Sequence, residues 1–210
     1  DVVNKTYGDA VQAGVVNFAG TNLKGGDVVQ AQANVQSTAA NLSTSGSLKV
    51  GSYDQKVSVL SSGNANNDAD NYSFSAVTNA GSYTVAKKVI GTAQIAAVTD
   101  AVYGTSKATG AVSLGADVVA GDLVSASNAA TVKDPVNSSS NNLKAGDYKQ
   151  TVLGGLSSGN ANNDAENYSF AGLTSSTANY HVEKLALTGV TIDVVNKTYG
   201  DAVQAGVVNF

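Results

Sequence analysis

The sequence predicts an all-β protein assembled from tandem repeats. Three observations predict it: identical segments at a fixed spacing, abundant Val with Tyr at recurring places, and clusters of turn residues between them. Repetition comes first because it sets the architecture. Residues 1–18, DVVNKTYGDAVQAGVVNF, recur unchanged at 193–210, a period of 192 residues. A shorter repeat lies inside the longer one. LSSGNANNDADNYSF at 60–74 returns at 156–170, 96 residues on, with Asp70 replaced by Glu166 as its one change. Tyr7-Gly8 aligns with Tyr103-Gly104, 96 apart, while Gly26-Asp27 aligns with Gly121-Asp122 and Tyr53 with Tyr148, both 95 apart. The unit is therefore about 96 residues. Unit one covers 1–91, unit two 92–189, and 190–210 opens a third. Such a unit exceeds a solenoid coil of about 20–50 residues and matches one small β-sandwich domain.

The elements follow from local pattern. Val29, Ala31, Ala33 and Val35 alternate with Gln30, Gln32 and Asn34. That period of two predicts a half-buried strand. Further strands are predicted near residue 1 and at Val11–Phe18, Leu48–Val50, Gln55–Leu60, Asn71–Ser75 and Ser82–Ile90. Turns are predicted at Lys24–Asp27, Gly51-Ser52 and Gly63–Asp70, where Gly, Asn and Asp cluster. About seven short strands per unit favour two tandem Ig-like β-sandwich repeats, with β-grasp-like modules as the alternative. No Pro-rich or Gly/Ser-rich linker separates the units. Short joins restrict motion between modules, so an array should form an extended, stiff rod.

Composition narrows the function. The chain has 210 residues, no Cys, Met or Trp, one Pro, and 12 cationic residues, all of them Lys. Only 13% of residues are charged, against about a quarter in typical domains. The 42% hydrophobic content and nine Tyr suit β-strands rather than disorder. A net charge of −4 opposes nucleic-acid binding, which needs basic stripes. No apolar run reaches the roughly 18 residues of a membrane helix. The lack of Cys removes disulfide frameworks and Cys-based zinc sites, and suits a large exported bacterial protein. The chain reads as starting mid-protein, so the lack of a leader peptide carries no weight.

Three motifs recur in order. Tyr7-Gly8-Asp9, Gly26-Asp27-Val28-Val29 and Asp68-Ala69-Asp70-Asn71-Tyr72 return as Tyr103-Gly104-Thr105, Gly121-Asp122-Leu123 and Asp164-Ala165-Glu166-Asn167-Tyr168. Their order and spacing resemble the repeats of YDG and MBG type in large haemagglutinin-like adhesins of Gram-negative bacteria. The resemblance covers nearly the whole chain in two copies. It implies a secreted, β-rich stalk or adhesive repeat at the bacterial cell surface, with no catalytic residues.

Candidate sites are few. The loop Gly63–Asp70 and its copy place Asn66, Asp68, Asp70 and Asn162, Asp164, Glu166 at alternate positions, a pattern that suits a calcium ion. It lacks the Gly and Glu of an EF-hand, and a turn capped by Asn and Asp side chains is the favoured reading. Six Asn-x-Ser/Thr sequons occur, at Asn4, Asn41, Asn71, Asn137, Asn167 and Asn196, close to the number expected by chance. His181 is the only histidine and has Thr84 as its counterpart, so a strand-surface position is expected rather than a shared catalytic role. No nucleophile elbow, phosphate loop or zinc motif is present. Tyr7, Tyr53, Tyr72 and Tyr83 match Tyr103, Tyr148, Tyr168 and Tyr180, positions expected to pack a core while the hydroxyl finds a partner.

The expected function is a structural spacer, whose partners are neighbouring repeats of the same chain and which projects a binding tip for adhesion or biofilm formation. The alternative is that each repeat binds a glycan, a matrix protein or a neighbouring adhesin. No cofactor, nucleic acid or membrane insertion is expected. Identical neighbouring repeats also risk exchanging strands, and divergence between units one and two would lessen that.

Overall fold

The computed structural model describes residues 1–19 and 21–210. The chain is all-β, and its helical turns are single 3-10 turns of three or four residues. In the first repeat six strands form: β1 (Val3–Thr6), β2 (Val29–Ala31), β3 (Asn34–Val35), β4 (Gly51–Val57), β5 (Leu60–Ser62) and β6 (Val77–Ala86). Four of them make one sheet in the order β1-β6-β4-β3. β1 runs parallel to β6, with Val3 opposite Tyr83, while β4 is antiparallel to both β6 and β3. β2 and β5 form a separate antiparallel ladder. β4 shows why: Tyr53 and Gln55 point inward while Ser52, Asp54 and Lys56 face out, the two-residue period of a half-buried strand.

A short connection carries β7 (Lys88–Val89) and β8 (Gln94–Ile95). The second repeat follows with β9 (Val98–Val102), β10 (Val112–Ser113), β11 (Val124–Ala126), β12 (Thr131–Val132), β13 (Gly146–Tyr148), β14 (Gln150–Leu153), β15 (Leu156–Ser158), β16 (Tyr168–Ser169), β17 (Gly172–Thr174) and β18 (Tyr180–Glu183). Its pairings repeat the first. β9 is parallel to β18, β13 is antiparallel to β18, and β11 pairs with β15 as β2 pairs with β5. The tail holds β19 (Thr191–Ile192) and β20 (Val208–Asn209), a two-stranded ladder like that of β8 with β10.

The repeats differ where residues are inserted. Between Tyr53 and Leu60 the second copy has one extra residue, and another lies between Phe74 and Tyr83. A single residue cannot enter a period-two ladder without breaking its register. The long β4 and β6 are accordingly divided into β13 with β14 and β17 with β18.

Several predicted strands are redrawn. Val11–Phe18 forms no ladder. Its backbone is held by side chains instead: Gln12 N donates to the Tyr83 hydroxyl and Gly14 N to Gln55 Oε1. The alternating segment at 29–35 is split, because β2 joins β5 and β3 joins β4, so the chain changes ladders at Gln32-Ala33. Gly51-Ser52 begins β4 rather than turning. Asn71–Ser75 ends a 3-10 turn and stays unpaired, whereas its copy contributes β16.

The core has three clusters. Val98, Ala101, Tyr180 and Val182 fill one in the second repeat, and Ile95, Ala130 and Val152 another. The largest draws Leu48, Tyr53, Tyr83 and Val85 from the first repeat, Ile90 from the connection, and Leu114 and Tyr168 from the second. The largest apolar cluster thus lies where the repeats meet.

Candidate functional site: the joint between repeats

The joint is built on the Gly121-Asp122 turn. Gly121 has φ +100°, a left-handed conformation that favours glycine. The turn aims the Asp122 carboxylate inward. Asp122 Oδ2 accepts the Tyr7 hydroxyl from the first repeat at 2.5 Å and the Tyr168 hydroxyl from the second at 2.7 Å. Asp122 Oδ1 accepts Ser45 N at 3.0 Å. The Tyr7 oxygen also lies 2.6 Å from Ser43 Oγ. The two rings meet edge to face, with centroids 5.2 Å apart and planes at 75°. Burial first, then the Asp122 carboxylate, raises the pKa of both phenols above the usual 10.0. Both are held as neutral donors.

The Asn-Asn-Asp-Ala-Glu-Asn-Tyr loop supplies the second half. Asp164 is fully buried. Its carboxylate accepts Leu123 N at 3.0 Å and Asn160 Nδ2 at 2.9 Å within its own repeat, and Thr44 N at 3.0 Å from the other. Burial alone would raise its pKa. The N–H donors outweigh burial and hold it below the usual 3.8. Asn167 Oδ1 accepts Val50 N at 2.9 Å, again across the joint. Asn163, at φ +55°, makes the preceding turn.

The connection is pinned too. β7 pairs with β16, and Ile90 N donates to Ser169 O at 2.9 Å. Gly91 N and Thr92 N both donate to Asp117 Oδ2 at 2.7 Å. A connection held at five consecutive residues has little freedom to act as a hinge.

Inside each repeat a buried glutamine holds the opening segment. Gln55 Oε1 accepts Gly14 N, and its Nε2 donates to Asp1 O at 2.9 Å. Gln150 is fully buried, accepts Gly110 N at 2.6 Å and donates to Ala96 O at 3.0 Å. Sequence reasoning passed over these glutamines, and also Ser43, Ser45 and Thr44. The signal available was register: Gln55 and Gln150 stand 95 apart, as the neighbouring Tyr53 and Tyr148 do.

The calcium candidates find other employment. The carboxylate oxygens of Asp164 face three N–H donors, and Asp68 likewise accepts Val28 N at 2.8 Å and Asn64 Nδ2 at 2.7 Å. Such donors repel a cation. Asp70, Glu166, Asn66 and Asn162 are exposed. Among the described residues no three acidic or imidazole side chains gather as a metal site would require. His181 lies on β18, with Nδ1 2.6 Å from Asp147 Oδ1. The sequon asparagine Asn167 is buried by its bond to Val50. An open groove between residues 11–18 and 29–35 carries no titratable side chain.

No helix of the described residues is long and apolar enough to cross a membrane. No family model matches this chain, and neither does any curated protein or solved structure.

Proposed function

We propose that the chain is a run of tandem β-modules of about 96 residues from a bacterial cell-surface adhesin, and that it works as a non-catalytic stalk. One observation carries the reading: consecutive repeats meet through a buried, hydrogen-bonded joint, and a pinned connection fixes their relative pose. A spacer needs that property, since reach is kept only if modules do not fold back on one another. The motifs shared with YDG and MBG-type repeats fall on the joint, which supports placing the chain among such adhesin repeats, outside the cell.

Small-angle scattering on arrays of one, two and three 192-residue periods tests the reading. The maximum dimension should rise in proportion to copy number. A compact or freely jointed particle would overturn it. A glycan array on the same arrays tests the rival in which each repeat binds a ligand.

A further inference from the structure

In each repeat the strand by which the chain enters and the strand by which it leaves lie side by side and run the same way. β1 pairs with β6 from Val3 opposite Tyr83 to Thr6 opposite Ala86, and β9 pairs with β18 from Val98 opposite Tyr180 to Val102 opposite Glu183. The chain therefore comes in at one end of a parallel ladder and goes out at the other. Tension along the chain draws the two strands past each other, so it loads the bonds of the ladder together. Were the pair antiparallel, entry and exit would share one end, and tension would open the bonds one at a time.

Both ladders are anchored at their ends. Tyr7 N donates to Ala86 O and Tyr103 N to Glu183 O, each at 2.9 Å, and Val98 N donates to Asn179 O at 2.8 Å. The buried glutamine of each repeat grips the entry from the side. Gln55 Nε2 donates to Asp1 O at 2.9 Å, just before β1, and Gln150 Nε2 to Ala96 O at 3.0 Å, just before β9. One face of each ladder is sealed from water, by Tyr83 and Val85 in the first and by Val98, Ala101, Tyr180 and Val182 in the second. Hydrogen bonds beside such a face are stronger than in water. Load leaving β6 meets β7, itself paired in parallel with β16.

We infer that each repeat is a load-bearing clamp, which carries tension along the chain through shear of its β1–β6 or β9–β18 ladder. The clamp lies wholly within a repeat, between strands of that repeat. It goes beyond the stalk reading, which concerns reach, and does not depend on it. What it adds is resistance to pulling.

Single-molecule force measurements on the full chain test the clamp. The protein has no cysteine, so a pair of introduced ones fixes where the handles attach. Ala97, Ala178 and Lys184 are exposed and flank the β9–β18 ladder. Handles at Ala97→Cys and Lys184→Cys pull opposite ends of the ladder and shear it. Handles at Ala97→Cys and Ala178→Cys pull the same end and peel it. At one pulling speed the shear pair should rupture at several times the force of the peel pair, because forced unfolding follows the unfolding barrier rather than the equilibrium stability. Equal forces in the two directions, with both variants folded by circular dichroism, would overturn the clamp. The unaltered chain, held by tags at its two ends, gives a second readout. It should break in separate ruptures, one per repeat, each releasing about 300 Å at roughly 3.5 Å per residue. Smooth lengthening without ruptures would overturn the clamp as well. Arrays that scatter as rods beside equal forces would sink the clamp and leave the stalk.

Discussion

Tyr7 and Asp122 stand 115 residues apart in the chain, yet the Tyr7 hydroxyl donates to Asp122 Oδ2 at 2.5 Å in the buried joint between repeats. One carboxylate there organises three groups from two modules. Tyr72 and Asp27, the counterparts of Tyr168 and Asp122, bond to each other in the first repeat as well.

Asp122→Ala removes the acceptor of the Tyr168 hydroxyl and of Ser45 N, and leaves the Tyr7 hydroxyl to Ser43 and Ser45. Each buried group left without a partner costs about 1–3 kcal/mol. Asp27→Ala removes one partner at a site open to water and should stay within about 0.5 kcal/mol. Urea denaturation of the two variants measures the difference.

Acid should loosen the joint. The N–H donors hold the folded pKa of Asp164 below the usual 3.8. A carboxyl whose folded pKa is depressed contributes stability above its unfolded pKa and loses it as pH falls through the folded value. Thermal melts taken below the usual carboxylate range should show falling stability. Asp164→Asn should begin less stable and lose less of it on acidification.

Alkali should act on the phenols with the opposite sense. The folded pKa values of Tyr7 and Tyr168 lie above the usual 10.0. Their contribution is complete below the unfolded value and is lost as pH rises through the folded one. Phenolate absorbance should therefore show a late fraction of tyrosines that ionises only as the joint opens. Tyr7→Phe should shrink that fraction.

Gly110→Ala places a Cβ 1.8 Å from Ala96 O, and Gly206→Ala places one 2.1 Å from Asp193 O. In repeat two the clash falls on the segment bonded to buried Gln150, so a cost of about 1–3 kcal/mol or more is expected. Gly206 belongs to the tail, whose two strands pair only with each other. The melting of the repeats should be unchanged there. Calorimetry on both variants checks the contrast.

Calcium should have no effect on stability. The carboxylates of Asp68 and Asp164 already face N–H donors, which a cation would have to displace. Melting temperatures with added calcium and with a chelator should agree. A rise with calcium would show that the loops serve as a metal site.

Much of this was legible in the chain itself. Repetition at 96 and 192 residues, Val-rich alternation and Asn/Gly/Asp turns determine an all-β protein of recurring units, because period and turn chemistry are local properties. The Asp-Ala-x-Asn-Tyr motif stood out for the same reason. Its use did not. Asp164 and Asp68 sit in nearly identical sequences, yet one is sealed against Thr44 while the other is half open, and nothing local distinguishes them. Only the tertiary structure decided that difference, along with the splitting of 29–35 between two ladders and the hold of Gln55 on an opening segment that forms no strand. Each depends on which distant groups satisfy a backbone N–H, and that is set by packing between modules rather than by neighbours along the chain.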